Sequence, residues 1–232
     1  YCNPLWTKKG ISFKKFLDEH SGGSNAYTGG DITNYFFQVS HDGFDIALDR
    51  FSDFFKAPLF DKKYSEREVK AVNNEHQKNK LNDGWRGNFV SHQISEPGHP
   101  LTKFGTGNKD TLSGNNRPAL LDFYKKYYSA SNMKLALISK MPMQSLFDIS
   151  QKHFSGIPHR KVDIPSMPKD FRKSLIGEFR LLKIKTIKDI RSLEIDFPTI
   201  RLSDYKDSKP ASIISSLIGH EGKGSLLSKL KE

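Results

Sequence analysis

Apolar residues recur at helical spacing in several parts of the chain. Phe13, Phe16 and Leu17 stand at positions i, i+3 and i+4, which predicts a short amphipathic helix ending near residues 22–23. A wider stripe ahead of Pro58 predicts a second helix, and its members are expected in the core: Phe44, Ala47, Leu48, Phe51, Phe54 and Phe55. The same spacing predicts further helices over residues 117–128, 146–154, 212–218 and 225–230.

Other segments have the composition of strands. Residues 25–29 and 32–39 are rich in Tyr, Phe and Thr and flank a turn at residues 30–31. Residues 133–139 predict a further strand, and residues 179–187 and 193–197 predict strands of a later unit. Because helices and strands are mixed without strict βαβ alternation, the sequence predicts an α+β fold with helices packed on a mixed β-sheet.

One predicted helix carries two regularly spaced acids. Ser65 followed by Glu68 is a capping-box pattern, which predicts a helix from Ser65 to about residues 82–84. Glu68 and Glu75 are seven residues apart, so both carboxylates point from one face. Such a pair can ligate a metal or orient its ligands. A solvated helix face with charge pairing is the commoner explanation of this spacing taken by itself.

Glycine and proline divide the chain. Residues 98–114 are rich in Gly, Pro, Asn and Thr and predict a long functional or mobile loop. Prolines then punctuate a polar stretch that predicts an interdomain linker at residues 161–175. We therefore expect a first domain at residues 1–160 and an incomplete second domain of similar type at residues 176–232.

The net charge and the cysteine content bear on the binding partners and the cellular location that we expect. The 232 residues include 37 Lys and Arg against 26 Asp and Glu, a net charge of +11. Basic residues are interleaved with acidic ones and form no long run, so we expect no nucleic-acid partner. The single cysteine, Cys2, excludes an internal disulfide and favours a cytoplasmic location. No apolar run approaches the roughly 20 residues that would span a membrane.

Five ordered blocks of this sequence resemble the insulysin branch of the pitrilysin-like, or inverzincin, metalloproteases. The blocks are residues 16–28 with 33–37, residues 47–51 with 58–61, the acidic helix at 65–79, the loop at 99–109, and residues 217–227. The resemblance implies an insulysin/pitrilysin-like metallopeptidase domain followed by the start of a second one. It also implies a zinc metalloendopeptidase that hydrolyses peptides and small unfolded polypeptides.

The zinc motif of that family, H-x-x-E-H, is absent from these residues. In the family its two His bind zinc and its Glu activates the attacking water. Glu19-His20 is not this motif, because Phe16 stands where the first His would be. An ungapped count places Tyr1 at the second zinc His, so we expect a truncation or a diverged junction. We also expect this chain alone to bind no zinc tightly and to hydrolyse no peptide.

The resemblance assigns roles to residues that are present. It implies that Glu75 is the third zinc ligand and that Glu68 is the supporting catalytic carboxylate. A peptide substrate would add as a strand to a sheet edge formed by Asn25, Ala26, Tyr27 and Thr28.

A second substrate contact is implied by the loop containing Gly219, His220 and Glu221. This loop resembles the segment near the exosite that anchors the N-terminal part of a substrate. A helix-capping turn explains its glycines equally well.

Two other functions stay open at this stage. A non-catalytic, peptide-binding pseudo-protease would keep the edge strand and lack the zinc motif. A basic nucleic-acid adaptor would bind DNA with strong salt dependence. A homo-oligomer is possible for the complete form.

Overall fold

The computed structural model describes residues 12–166, 177–197, 199 and 202–231. The chain forms two units, residues 1–171 and residues 172–232. The predicted linker lies partly outside the described residues, and the segment around Tyr1 lies wholly outside them. The expected division into two domains of one family therefore stays a prediction.

In its described part, the first unit contains six α-helices and one β-hairpin. Their bounds are α1 Phe13–Glu19, β1 Gly23–Thr28, β2 Thr33–Gln38, α2 Phe44–Lys56, α3 Lys62–Lys80, α4 Asp83–His92, α5 Arg117–Tyr127 and α6 Met143–Phe154. β1 and β2 pair antiparallel, with Asn25 opposite Phe36 and Ala26 opposite Tyr35. The α+β class is thus confirmed.

The core of this unit lies where α1 and α2 meet the hairpin. Phe16, Leu17 and Ala47 are buried, and Phe13, Phe37 and Val39 pack around them. The rings of Phe37 and Phe51 have centroids 4.9 Å apart, which joins the hairpin to α2. The apolar stripe predicted for α2 is therefore core or half-buried, as its spacing indicated.

The start of α3 differs from the prediction. The helix begins at Lys62, and its N-cap is Asp61, whose Oδ1 accepts from the amides of Lys63 (3.0 Å) and Tyr64 (3.3 Å). Ser65 instead lies inside the first turn, where its hydroxyl donates to the Asp61 carbonyl at 2.9 Å. Asp61 is the N-cap because its side chain accepts from two amides that have no partner within the helix, one turn before the predicted start.

A separate helix, α4, follows α3 and was not predicted. We expected α3 to continue to about residues 82–84, but it ends at Lys80. Asn82 is the N-cap of α4 instead, because its Oδ1 accepts from the Trp85 amide at 3.1 Å. The expected loop after it contains one short 3₁₀ turn at Pro100–Thr102. Gln93 Nε2 donates to the Thr102 carbonyl at 2.7 Å and holds this turn against α4.

The strands predicted outside the hairpin are not formed in the described part of the chain. Residues 133–139 pair with no other strand there, and Ile138 is almost fully exposed. Residues 179–187 and 193–197, in the second unit, are likewise unpaired. Their composition favours strands, but a strand is stable only when a neighbour accepts and donates its backbone hydrogen bonds.

The second unit contains two described α-helices, α7 at Pro210–Ile218 and α8 at Leu226–Leu230. The hydroxyl of Ser225 caps α8 by accepting from the Ser228 amide at 3.1 Å. Both helices were predicted, and α7 begins two residues earlier than expected because Pro210 suits the first helical turn.

Candidate functional site

Glu68 and Glu75 both lie on α3, as the sequence predicted. A seven-residue separation is two turns, about 10.5 Å along the helix axis, and leaves both side chains on one face. Glu75 is exposed and makes no ion pair or hydrogen bond with the described part of the chain. Glu68 is half-buried, and its Oε1 is 3.9 Å from Nε of Arg67. Glu75 is therefore free to bind an external ligand, whereas Glu68 already has an ion-pair contact.

Among the described side chains around Glu75, only its own carboxylate is available as a zinc ligand. Its neighbour His76 is used in packing, because Nδ1 donates to the Thr106 carbonyl at 3.2 Å and the ring packs edge-on against Phe104 at 5.0 Å. Across residues 12–166 and the described parts of the second unit, no three His, Cys, Asp or Glu side chains are grouped to hold a metal. Glu75 can supply one oxygen, and the imidazoles that zinc prefers would come from elsewhere.

The loop after α4 fixes the position of α3. Thr106 is the anchor, since its hydroxyl accepts from Nδ2 of the buried Asn79 at 3.0 Å. Phe104 packs against Trp85 at 5.8 Å and against Phe89 at 5.2 Å. The sequence predicted a structural anchor at Trp85 and no chemistry there, whereas the irregular spacing of these aromatic residues across two segments carries no periodic signal for the rest. Together these contacts join the acidic helix to the loop.

The predicted substrate strand is β1, the N-terminal strand of the hairpin. Among the described residues β1 pairs only with β2, so its second edge carries no neighbouring strand. Asn25, Ala26 and Thr28 are exposed, and the Tyr27 side chain is 55% exposed. Oδ1 of Asn25 accepts from the Ala26 amide at 2.8 Å, which leaves its Nδ2 without a partner in the described chain. The strand has the free edge and the free donor that a peptide would need.

Two tyrosines tie the hairpin to the helices. The Tyr35 and Tyr128 hydroxyl groups are hydrogen-bonded to each other. Burial raises the pKa of the Tyr128 hydroxyl, and the bond with Tyr35 raises it further. The Tyr35 ring also packs on Phe54 of α2 at 5.1 Å. The Tyr128 phenol therefore stays neutral at pH 7, and its hydrogen bond with Tyr35 links the hairpin to the end of α5.

The loop with Gly219, His220 and Glu221 joins α7 to α8 in the second unit. All three residues are exposed. The Gly219 amide donates to the Ser215 carbonyl at 2.8 Å, and the His220 amide donates to the Leu217 carbonyl at 3.4 Å. These bonds close the last turn of α7, so the capping interpretation describes the local backbone. A role in substrate binding stays a prediction.

A groove between α3 and the loop before α5 was missed by the sequence analysis. We call it the α3 groove, and it is lined by Lys62, Ser65, Glu66, Val69 and Lys70 of α3 and by Lys109, Leu112, Ser113, Gly114, Asn115, Asn116 and Arg117. The α3 members recur at helical spacing, which is the one signal the sequence contains. The opposite wall comes from a segment some 40 residues away, which no local pattern connects to α3.

No helix in the described ranges is long and apolar enough to cross a membrane.

An α+β fold with a carboxylate pair on one helix and a hairpin with a free edge agrees with the comparisons to known proteins. Residues 7–98 match the model of the family "Insulinase (Peptidase family M16)". Residues 116–232 match the model "Peptidase M16 inactive domain". The chain therefore belongs to peptidase family M16, and the predicted resemblance to insulysin is confirmed.

The chain is also similar to individual proteins of this family. It is 43% identical over 227 residues to the insulin-degrading enzyme of Bos taurus, covering 94% of this chain and 22% of that protein. It is 40% identical over 226 residues to "Putative zinc protease mug138" of Schizosaccharomyces pombe, covering 94% of this chain and 23% of that protein. The crystal structure of pitrilysin superposes with a TM-score of 0.64 at 36% identity, over 68% of this chain and 17% of that one. The chain thus spans less than a quarter of these relatives.

Proposed function

We propose that this chain is part of a zinc metalloendopeptidase that hydrolyses peptides and small unfolded polypeptides. The observation that carries the proposal is Glu75, an exposed carboxylate without a partner in the described chain, on the helix that aligns with the family. The names of the relatives, an insulin-degrading enzyme and a zinc protease, support the same chemistry. We place the protein in the cytoplasm, since its one cysteine suits a reducing compartment.

In this proposal the two carboxylates of α3 have different roles. Glu75 is a zinc ligand. The half-buried Glu68 does not bind the ion but orients the groups that do. The imidazole ligands and the catalytic base come from outside these 232 residues, because no H-x-x-E-H occurs in them. Zinc, when bound, supplies a Lewis acid that polarises the peptide carbonyl and activates water.

The substrate would bind as an added strand on β1. Backbone hydrogen bonds along Asn25–Thr28 provide affinity with little dependence on substrate side chains. The free Nδ2 of Asn25 donates to a substrate carbonyl, and the exposed ring of Tyr27 covers a neighbouring side chain. Glu221, in the loop with Gly219 and His220, pairs with the α-ammonium group of the substrate.

A second candidate is a peptide-binding pseudo-protease, favoured by the absence of H-x-x-E-H together with an intact β1 edge. It predicts that the complete protein binds an unfolded peptide without cleaving it. A chelator separates the two, because removal of zinc would stop cleavage by a peptidase and would leave binding by a pseudo-protease unchanged.

The experiment that tests the proposal is hydrolysis of a quenched fluorescent peptide by the complete protein that carries this chain. Glu75→Ala should lower kcat/KM more than about 100-fold, since it removes a metal ligand, and Glu68→Ala about 10- to 100-fold, since it removes an orienting group. Glu66→Ala, at another exposed carboxylate of α3, should change kcat/KM less than about twofold. Equal activity of Glu75→Ala and Glu66→Ala would contradict the assignment.

A further inference from the structure

The α3 groove is a half-open cavity of about 310 Å³ within the first unit. Lys62, Ser65, Glu66, Val69 and Lys70 form its floor, because residues spaced by three and four share one face of a helix. Its other wall is the segment from Lys109 to Arg117. Small-molecule sites have volumes of roughly 300–1,000 Å³. This groove lies near the lower end of that range, so it suits a small ion or metabolite.

Both ends of the groove are fixed by hydrogen bonds. At one end the Lys109 amide donates to Oδ1 of Asn73 on α3 at 3.2 Å. At the other end the Arg117 guanidinium donates to the carbonyls of Phe60 (Nε, 3.0 Å) and Leu59 (3.3 Å) just ahead of α3. These bonds tie the loop to the helix at two points, so the cavity between them is a built feature of the fold.

The loop itself has a defined conformation. Oδ1 of Asn108 accepts from the amides of Asp110 and Thr111, both at 2.9 Å. Nδ2 of Asn116 donates to the Leu112 carbonyl at 2.7 Å. Between these two anchors neither the hydroxyl nor the backbone amide of Ser113, a lining residue of the groove, makes a hydrogen bond with the described chain.

Charge in the groove is strongly positive. Its lining includes four cationic side chains, Lys62, Lys70, Lys109 and Arg117, against one carboxylate, Glu66. That carboxylate is 4.0 Å from Nζ of Lys62 in an exposed pair, which compensates little. The ammonium groups of Lys70 and Lys109 have no ion-pair partner among the described residues. Because the four cations line one groove, an anion bound there would be attracted by several of them at once.

We infer that the α3 groove is a binding site for a phosphate-class oxyanion. A phosphate group carries about two negative charges and several acceptor oxygens, which match two unpaired ammonium groups and the neutral donors of the loop. Lysines on both walls approach the anion from opposite sides. The anion would also tie α3 to the loop through charge, in addition to the existing hydrogen bonds.

The test is isothermal titration calorimetry on the complete protein with inorganic phosphate, pyrophosphate and adenosine monophosphate. Lys70→Gln/Lys109→Gln should weaken pyrophosphate binding about tenfold or more, because it removes the two unpaired charges. Raising the salt concentration should weaken the wild-type affinity. Adenosine monophosphate binding as tightly as phosphate would identify the phosphoryl group as the part recognised, and tighter binding would identify a nucleotide source.

Two matched variants make the test specific. Lys125→Gln/Lys134→Gln removes the same charge from exposed positions outside the groove and should leave affinity within about twofold. Glu66→Gln removes the one carboxylate of the groove and should tighten binding, an effect that misfolding cannot produce. No binding of any of the three anions by the wild type, an equal loss in both lysine pairs, or weaker binding by Glu66→Gln would overturn the inference.

Discussion

Asp45 on α2 accepts hydrogen bonds from two neighbouring side chains of α6. Its Oδ1 is 2.7 Å from Nε2 of the buried His153, and its Oδ2 is 3.0 Å from Nζ of Lys152. The hydrogen bond from His153 is the largest cause of the lowered pKa of the Asp45 carboxyl; burial opposes it, and the weaker hydrogen bond from Lys152 lowers the pKa further. Asp49 adds a second contact to the other ring nitrogen at 3.3 Å. Two carboxylates of α2 therefore contact His153 of α6, and Asp45 also pairs with Lys152.

The pH dependence of that link follows from the sign of the shift. A lowered pKa means that Asp45 stabilises the fold above its unfolded value of about 3.9, and that this contribution is lost as pH falls through the lower folded value. We expect the amides of α6 to lose hydrogen-exchange protection below about pH 4. Asp45→Asn should cost about 1 kcal/mol at pH 7, a figure kept small because the side chain is half exposed.

The control for this prediction is Asp122→Asn, which changes an exposed carboxyl of α5 without a partner in the described chain. It should leave the protection of α6 unchanged at every pH. Wild-type and Asp45→Asn proteins with the same protection at pH 7 would show that the Asp45 contact does not hold α6.

At the scale of elements, α3 shows how two capping residues compete. Asp61→Ala should destabilise α3 by about 1 kcal/mol, because both amides that Oδ1 accepts from would lose their partner. Ser65→Ala should cost only a few tenths of a kcal/mol, since its hydroxyl donates to a carbonyl inside the helix. Hydrogen exchange of the first turn of α3 measures both, and a larger effect of Ser65→Ala would restore the capping-box interpretation.

Helices were easier to predict than strands, for a physical reason. The period of α2 is contained in its own residues, so Ala47 and Leu48 could be placed in the core from spacing alone. The hairpin was also local, since β1 and β2 are joined by a short turn. Residues 133–139 have the same composition but depend on a partner strand, and no local pattern reports whether one is present.

The candidate site divides in the same way. The shared face of Glu68 and Glu75 was predicted from their spacing because one helix carries both, and their roles stay a prediction. The anchoring of that helix by Thr106 and the cations on the far wall of the α3 groove come from segments distant in sequence. Packing between such segments decides which side chains meet, and residue spacing along one element contains no information about it.

At the scale of the whole molecule, the second unit exposes much apolar surface. Phe179 is 88% exposed and Leu217 is 72% exposed, and both lie in segments with the composition of core elements. Apolar faces of this kind bind other protein surfaces or drive association. We therefore expect the isolated chain to associate through this surface.

The central claim is that Glu75 completes a zinc site, and the most direct measurement is the zinc content of the complete protein after dialysis against a weak chelator. We expect about one zinc per chain in the wild type and in Glu66→Ala, and much less in Glu75→Ala, because loss of a protein ligand leaves the ion too weakly held. The 232-residue chain alone should retain none. Equal zinc in the wild type and in Glu75→Ala would contradict the claim.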